Sequence, residues 1–148
     1  MIRWLARKAR AACDVGVALR AVARARRAVA HRPVGELVDS RNPGPELTAD
    51  PLAARLGRQD RWIAERWGAA VDRALRWTPG DAACLVRASA LRDLVARRGL
   101  PDAAVVIGVR RGPGGFEAHA WVEVAGTPIA EPTALRGAFV PLQGVTLR

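Results

Sequence analysis

The chain has two cysteines and two histidines among its 148 residues, and one of each stands where it could do chemistry. Cys84 follows Asp81 by three residues, and Asp81 has the type of a helix N-cap. That spacing places Cys84 in a first helical turn, where unpaired amide groups and the helix dipole favour a thiolate, the reactive form of the side chain. The alternative is a small hydrophobe on the apolar stripe Cys84, Ala88, Leu91, Val95. His119 lies in an alternating apolar stretch, flanked by Ala118 and Ala120. Small neighbours leave room for another group to approach the imidazole. A neutral imidazole within reach of the thiol could take its proton and later protonate a departing amine.

Such a pair works best when a third group orients the imidazole. Glu117, Glu123 and Glu131 are the candidates. Glu123 is four residues from His119, roughly 13 Å along an extended strand, too far to touch. Glu117 could reach it only sideways. Glu131 falls on the next strand, and its use depends on register. A two-residue turn at Ala125-Gly126 pairs Ala120 with Glu131 and puts the carboxylate on the wrong face. A three-residue turn with a bulge puts it diagonal to His119. Service by Glu131 therefore predicts the bulge. For a developing oxyanion, the Cys84 backbone N–H is a natural donor. Trp77, Arg87 and Trp121 are side-chain candidates for an oxyanion or substrate contact. Solvation explains Arg87, and packing beside His119 explains Trp121, equally simply. Neither the Cys pair nor the His pair has zinc-ligand spacing, and no Cys-x-x-Cys occurs, so neither metal nor cofactor is expected.

The elements that must carry these groups fall in two blocks. Residues 2–30 read as a helix, with Leu5, Ala9, Ala12, Val15, Leu19 and Val22 at steps of three and four. Residues 33–50, with Pro33, Gly35, Pro43, Gly44 and Pro45, read as a linker. Asp50-Pro51 reads as the start of a second helix, with Ile63, Trp67, Val71 and Leu75 on its core face and Thr78-Pro79-Gly80 as its end. A third helix runs from Asp81 to the stop signal Arg97-Arg98-Gly99. The period then changes. Residues 103–109, 117–124, 127–131 and 139–142 read as strands. The glycine-rich segment from Arg110 to Phe116 reads as a loop that could move over a substrate, and Ala125-Gly126 as a tight turn. Helices followed by an antiparallel sheet of about four strands make an α+β fold. Three segments are expected: a basic helix over 1–32, a linker over 33–50 and the main domain over 51–148.

Charge is concentrated at the start of the chain. Nine of the 24 Arg and Lys residues, but only one of the 14 acids, lie in residues 1–32. A solvated basic face explains this, as does docking to an acidic partner, an anionic membrane surface or nucleic acid. Arginines without aromatics between them after Trp4 argue against nucleic acid. No run approaches the ~20 apolar residues of a membrane span, no secretion signal is evident, and the expected compartment is the cytoplasm.

The segments Cys84-Leu-Val-Arg-Ala-Ser-Ala-Leu91, Val106-Ile-Gly-Val109 and Ala118-His-Ala-Trp-Val-Glu123 resemble the leader peptidases of lasso-peptide biosynthesis, which are small transglutaminase-like cysteine proteases. The resemblance covers roughly residues 52–142. It implies a papain/transglutaminase-like core with Cys84 as nucleophile and His119 as base. Glu131 falls where that family usually has Asp, a departure of one methylene. The likeness further implies three partners: a precursor leader peptide as substrate, a separate leader-recognition protein, and an ATP-dependent cyclase that uses the freed amine. The short, helical N-terminus is expected to lack a fused recognition domain. A transglutaminase-like acyl transferase and a catalytically inactive peptide-binding helper are the competing functions.

Overall fold

The computed structural model describes residues 2–37, 56–81, 83–132, 135 and 138–142. Four helices, α1 (Ile2–His31), α2 (Val34–Leu37), α3 (Arg58–Trp77) and α4 (Ala83–Ala96), precede four strands, β1 (Ala104–Gly112), β2 (Gly115–Val124), β3 (Thr127–Ile129) and β4 (Val140–Pro141). The strands form one sheet in the order β3-β2-β1-β4, with every neighbouring pair antiparallel. The α+β arrangement expected from the change of period is the one observed.

α1, α3 and α4 share a core rich in alanine. Ala18, Ala21, Val22 and Ala25 of α1 meet Ala64, Trp67, Ala70, Val71 and Ala74 of α3, and Ala88, Ala90, Leu91 and Val95 of α4. Small side chains let three helices approach closely while still excluding water. The sheet closes this core with one face, through Val105, Ile107, Ala120, Val122, Val124 and Ile129. Strand alternation sends Val106, Gly108, Arg110, Glu117, His119, Trp121 and Glu123 to the opposite face. The core-facing side chains of β2 and His119 therefore point to opposite faces of that strand.

The expected start of the second helix at Asp50-Pro51 lies outside the described residues. Leu56 and Gly57 are not helical, and α3 begins at Arg58, with Gly57 extended at φ −58° and ψ 163°. A continuous helix from Pro51 is thus corrected, the break falling at a glycine. The end at Trp77 agrees, with Thr78 accepting a capping role through its hydroxyl, which donates to the Ala74 carbonyl (3.0 Å). The stop after α4 also agrees. Gly99 takes φ +110°, and the Leu100 amide donates back to Val95 (3.1 Å).

Candidate active site

The expected mobile loop over residues 110–116 is instead the end of a hairpin. β1 and β2 pair as far as Gly112 and Gly115, leaving only Pro113-Gly114 as the turn. Arg110 and Glu117, opposite each other, form an ion pair at 2.7 Å. Glu117 is therefore occupied away from His119. Glu123, buried, accepts the indole N–H of Trp121 at 2.7 Å.

His119 is held by its neighbours on the outer sheet face. Trp121 stacks beside it, with ring centroids 6.1 Å apart and planes within 18°, and Phe139 lies against it at 5.2 Å. Gly108, its partner on β1, makes the room. A Cβ there would come within 2.6 Å of the Trp121 ring and 2.8 Å of the Val140 carbonyl oxygen. The glycine in the middle of a strand is the mark of that close approach.

Glu131 reaches the imidazole by a route different from the one expected. The turn at Ala125-Gly126 is the strict two-residue type, pairing Val124 with Thr127 and Val122 with Ile129. The bulge is absent and that expectation is corrected. Continued pairing in this register would put Glu131 on the helix side. The strand stops instead, because Ala130 adopts φ +51°, in the left-handed region. The chain turns there, and Glu131 comes round the β2 edge that β3 no longer covers. Its Oε2 lies 3.1 Å from His119 Nε2, and its Oε1 accepts from Arg87 Nη1 at 2.8 Å. One carboxylate thus joins Arg87 of α4 to His119 of β2. A carboxylate accepts, so in the neutral tautomer that fits this contact His119 Nε2 carries the proton and Nδ1 the lone pair. The basic nitrogen is the one turned from Glu131.

Arg87, a candidate substrate contact from sequence, spends its guanidinium inside the protein. Nε donates to Asp72 (2.7 Å), Nη1 to Glu131, and Nη2 to the Ala130 carbonyl (2.6 Å). Burial opposes its charge, but the hydrogen bond and charge of Asp72, with those of Glu131, outweigh it and hold its pKa above the ordinary value. The one N–H of the Trp121 indole is donated to Glu123. Trp77, the last residue of α3, is 79% exposed. Cys84 is half-buried in the first turn of α4, one turn before Arg87, and packs against the helical core. The thiol is free, as is that of exposed Cys13. The hydrogen bonds of the described residues join His119 to Glu131 and do not join it to Cys84. Among the described residues no cluster of His, Cys, Asp or Glu could hold a metal ion.

Three residues of the site were not found from sequence. Asp72 reads as an ordinary solvated position on α3. Ala130 carries no signal of a left-handed conformation. Gly68 could have been found, since a glycine inside a helix needs a reason. A Cβ at Gly68 would lie 2.5 Å from that of Ala130, so α3 touches the turn that aims Glu131.

A nucleophile candidate at a helix start, with an imidazole on an antiparallel sheet and an acid just beyond the edge strand, is the layout of a cysteine-dependent acyl-transfer fold. The chain belongs to the transglutaminase-like superfamily, whose family model matches residues 1–144. That superfamily generally comprises cysteine-dependent enzymes, both peptidases and acyltransferases. No curated protein and no solved structure matches the chain. No described helix is long and apolar enough to cross a membrane.

Proposed function

We propose that this protein is a cysteine peptidase that removes the leader from a ribosomally made lasso precursor, freeing the core N-terminus for ring closure. The observation that carries the reading is the His119–Glu131 pair at 3.1 Å, with the carboxylate anchored to the same helix that bears Cys84. Membership of the superfamily supports the chemistry. The Cys84-Leu-Val-Arg87 and His119-Ala-Trp-Val-Glu123 motifs support the substrate.

In the proposed reaction His119 Nδ1 takes the Cys84 thiol proton, and the thiolate attacks the scissile carbonyl. The tetrahedral oxyanion is met by the Cys84 backbone N–H, which has no helical partner in the first turn. The imidazolium then protonates the departing core amine, leaving the leader as a thioester on Cys84. Water, deprotonated by His119, releases the leader acid and restores the thiol. Glu131 keeps the imidazole in the Nε2–H tautomer and offsets the positive charge it gains. A leader-recognition protein acts in trans in this scheme, and a lasso cyclase consumes the new amine. The exposed arginines of α1, Arg10, Arg20 and Arg27, offer an acidic partner a docking face.

The test is mass spectrometry of a lasso precursor incubated with this chain and a recognition protein, wild type beside Cys84→Ala. A free core N-terminus with wild type and intact precursor with Cys84→Ala is the expected result. A new amide in place of a free N-terminus would make the protein an acyl transferase. Full activity of Cys84→Ala would leave only the role of a helper that binds peptide.

A further inference from the structure

Glu131 is longer by one methylene than the Asp that the resemblance leads one to expect, and so has one more torsion to fix. A glutamate left to itself samples several rotamers, and freezing them costs conformational entropy. Something must hold the carboxylate if it is to orient an imidazole. We propose that Arg87 and Asp72 are positioning residues for His119, acting through Glu131, in a relay Asp72–Arg87–Glu131–His119 that crosses from α3 through α4 to the sheet. The proposal rests on reading His119 as the base of the reaction above.

The geometry supplies each link. Arg87 presents its donors in a rigid plane. Asp72 takes the Nε edge of that plane, with its second oxygen 3.4 Å from Nη2, and so stops the guanidinium from swinging. Nη1 then meets Glu131 Oε1, and Nη2 meets the carbonyl of Ala130. The arginine therefore grips both the carboxylate and the left-handed residue that aims it. With Oε1 pinned, Oε2 is left facing His119 Nε2. Glu131 is only 4% exposed at its side chain and Arg87 14%, whereas Asp72 is 47% exposed. The relay is dry where it meets the histidine and ends in solvent on α3. A lysine at position 87 would keep the charge but lack the plane that spans three acceptors.

Two readouts test this, one of them independent of any peptidase activity. A ring N–H donating to a buried carboxylate is shielded from exchange, so His119 should give a visible Nε2–H resonance in nitrogen-correlated NMR. His31 is exposed and serves as the internal control. Arg87→Met is expected to abolish that resonance and Arg87→Lys to fail to restore it, with circular dichroism unchanged. Asp72→Asn, at a half-exposed position, should weaken the signal without unfolding the chain. In the leader-cleavage assay Arg87→Met should lower kcat by about 10²-fold, as small misplacements of catalytic groups do, and leave KM nearly unchanged. In a Glu131→Gln background the same substitution should change kcat by no more than about twofold, because its effect passes through Glu131. Survival of the resonance in folded Arg87→Met overturns the relay, and so do kcat losses that multiply in the double variant. If the wild-type chain cleaves nothing, the peptidase reading falls, and the resonance alone decides the relay.

Discussion

Gly68 and Ala130 show how far the site depends on two residues with almost no side chain. Ala130 bears the cost of a left-handed conformation, roughly 1 kcal/mol for a residue with a Cβ. Gly68 gives up about 0.5–1 kcal/mol of helix stability relative to alanine. Both costs secure the close approach of α3 to the turn before Glu131. Gly68→Ala should therefore destabilise the protein by about 1–2 kcal/mol, overpacking outweighing the gain in helix propensity. Ala130→Gly removes the clashing Cβ, and the nearest atom to a Cβ at position 68 is then the Ala130 Cα at 3.8 Å, an ordinary contact. The double variant should be at least as stable as wild type. Thermal melts of the four proteins check this, and a double variant no better than Gly68→Ala alone would refute it. The same pair marks what sequence could say of the site. Cys84 and His119 stand out as candidates by residue type and local setting. Glu131 was a candidate whose side depended on register, and the two-residue turn by itself sends it to the wrong face. The correction lies in one φ angle at an alanine, for which no residue type is a signal.

The hairpin turn at Ala125-Gly126 is the clearest local statement in the sheet. Both residues have positive φ, 48° and 71°, the geometry of a type I′ turn, which matches the right-handed twist of the flanking strands. Alanine is a poor first residue for it. Asparagine tolerates the left-handed region, and position 125 is exposed, so nothing is lost in packing. Ala125→Asn should stabilise the fold by about 0.5–1 kcal/mol, a rise in Tm of roughly 2–4 °C for a chain of this size. Ala125→Val should lower it. Differential scanning calorimetry on the three proteins decides the matter, and equal melting temperatures would remove turn geometry as the cause. At this scale most of the fold was legible. The 3.6-residue stripe gave α3 its buried face through Ile63, Trp67 and Val71, and alternation gave β2 its two faces. The segment 110–116 was misread because glycine and proline mark turns without saying how short a turn is. The pairing of Arg110 with Glu117 carries the strands on to Gly112 and Gly115. The register of that hairpin is a long side-chain match, which no window of local composition contains.

Over the whole molecule, α1 contributes to the hydrophobic core that α3, α4 and the sheet share, and polar contacts tie it down at three places. Asp14 takes a bidentate pair from Arg66 of α3 (2.8 and 2.6 Å), Arg26 donates to the carbonyls of Thr78 and Pro79 beyond the end of α3, and Arg24 pairs with Asp93 of α4 at 2.9 Å. The family match likewise includes α1. Part of the basic character of residues 1–32 is thus spent on docking the helix, which the net charge alone could not reveal. The Asp93 link gives this docking a pH dependence. Partial burial opposes ionisation of Asp93, but the hydrogen bonds and charges of Arg97 and Arg24 outweigh it and hold its pKa below the ordinary 3.8. A carboxylate whose folded pKa is depressed adds stability that is complete above its unfolded value, about 3.9, and disappears as pH falls through the lower folded value. Arg24→Ala should then cost about 0.5 kcal/mol at pH 7, as partly exposed pairs do, and progressively less below about pH 4. In an Asp93→Asn background the same substitution should cost little at any pH. Urea melts at pH 7 and near pH 3 measure the difference. An Arg24→Ala cost that is the same at both pH values would mean that its contribution is packing of the aliphatic stem on α4, and that the charge of Asp93 does not hold α1 in place.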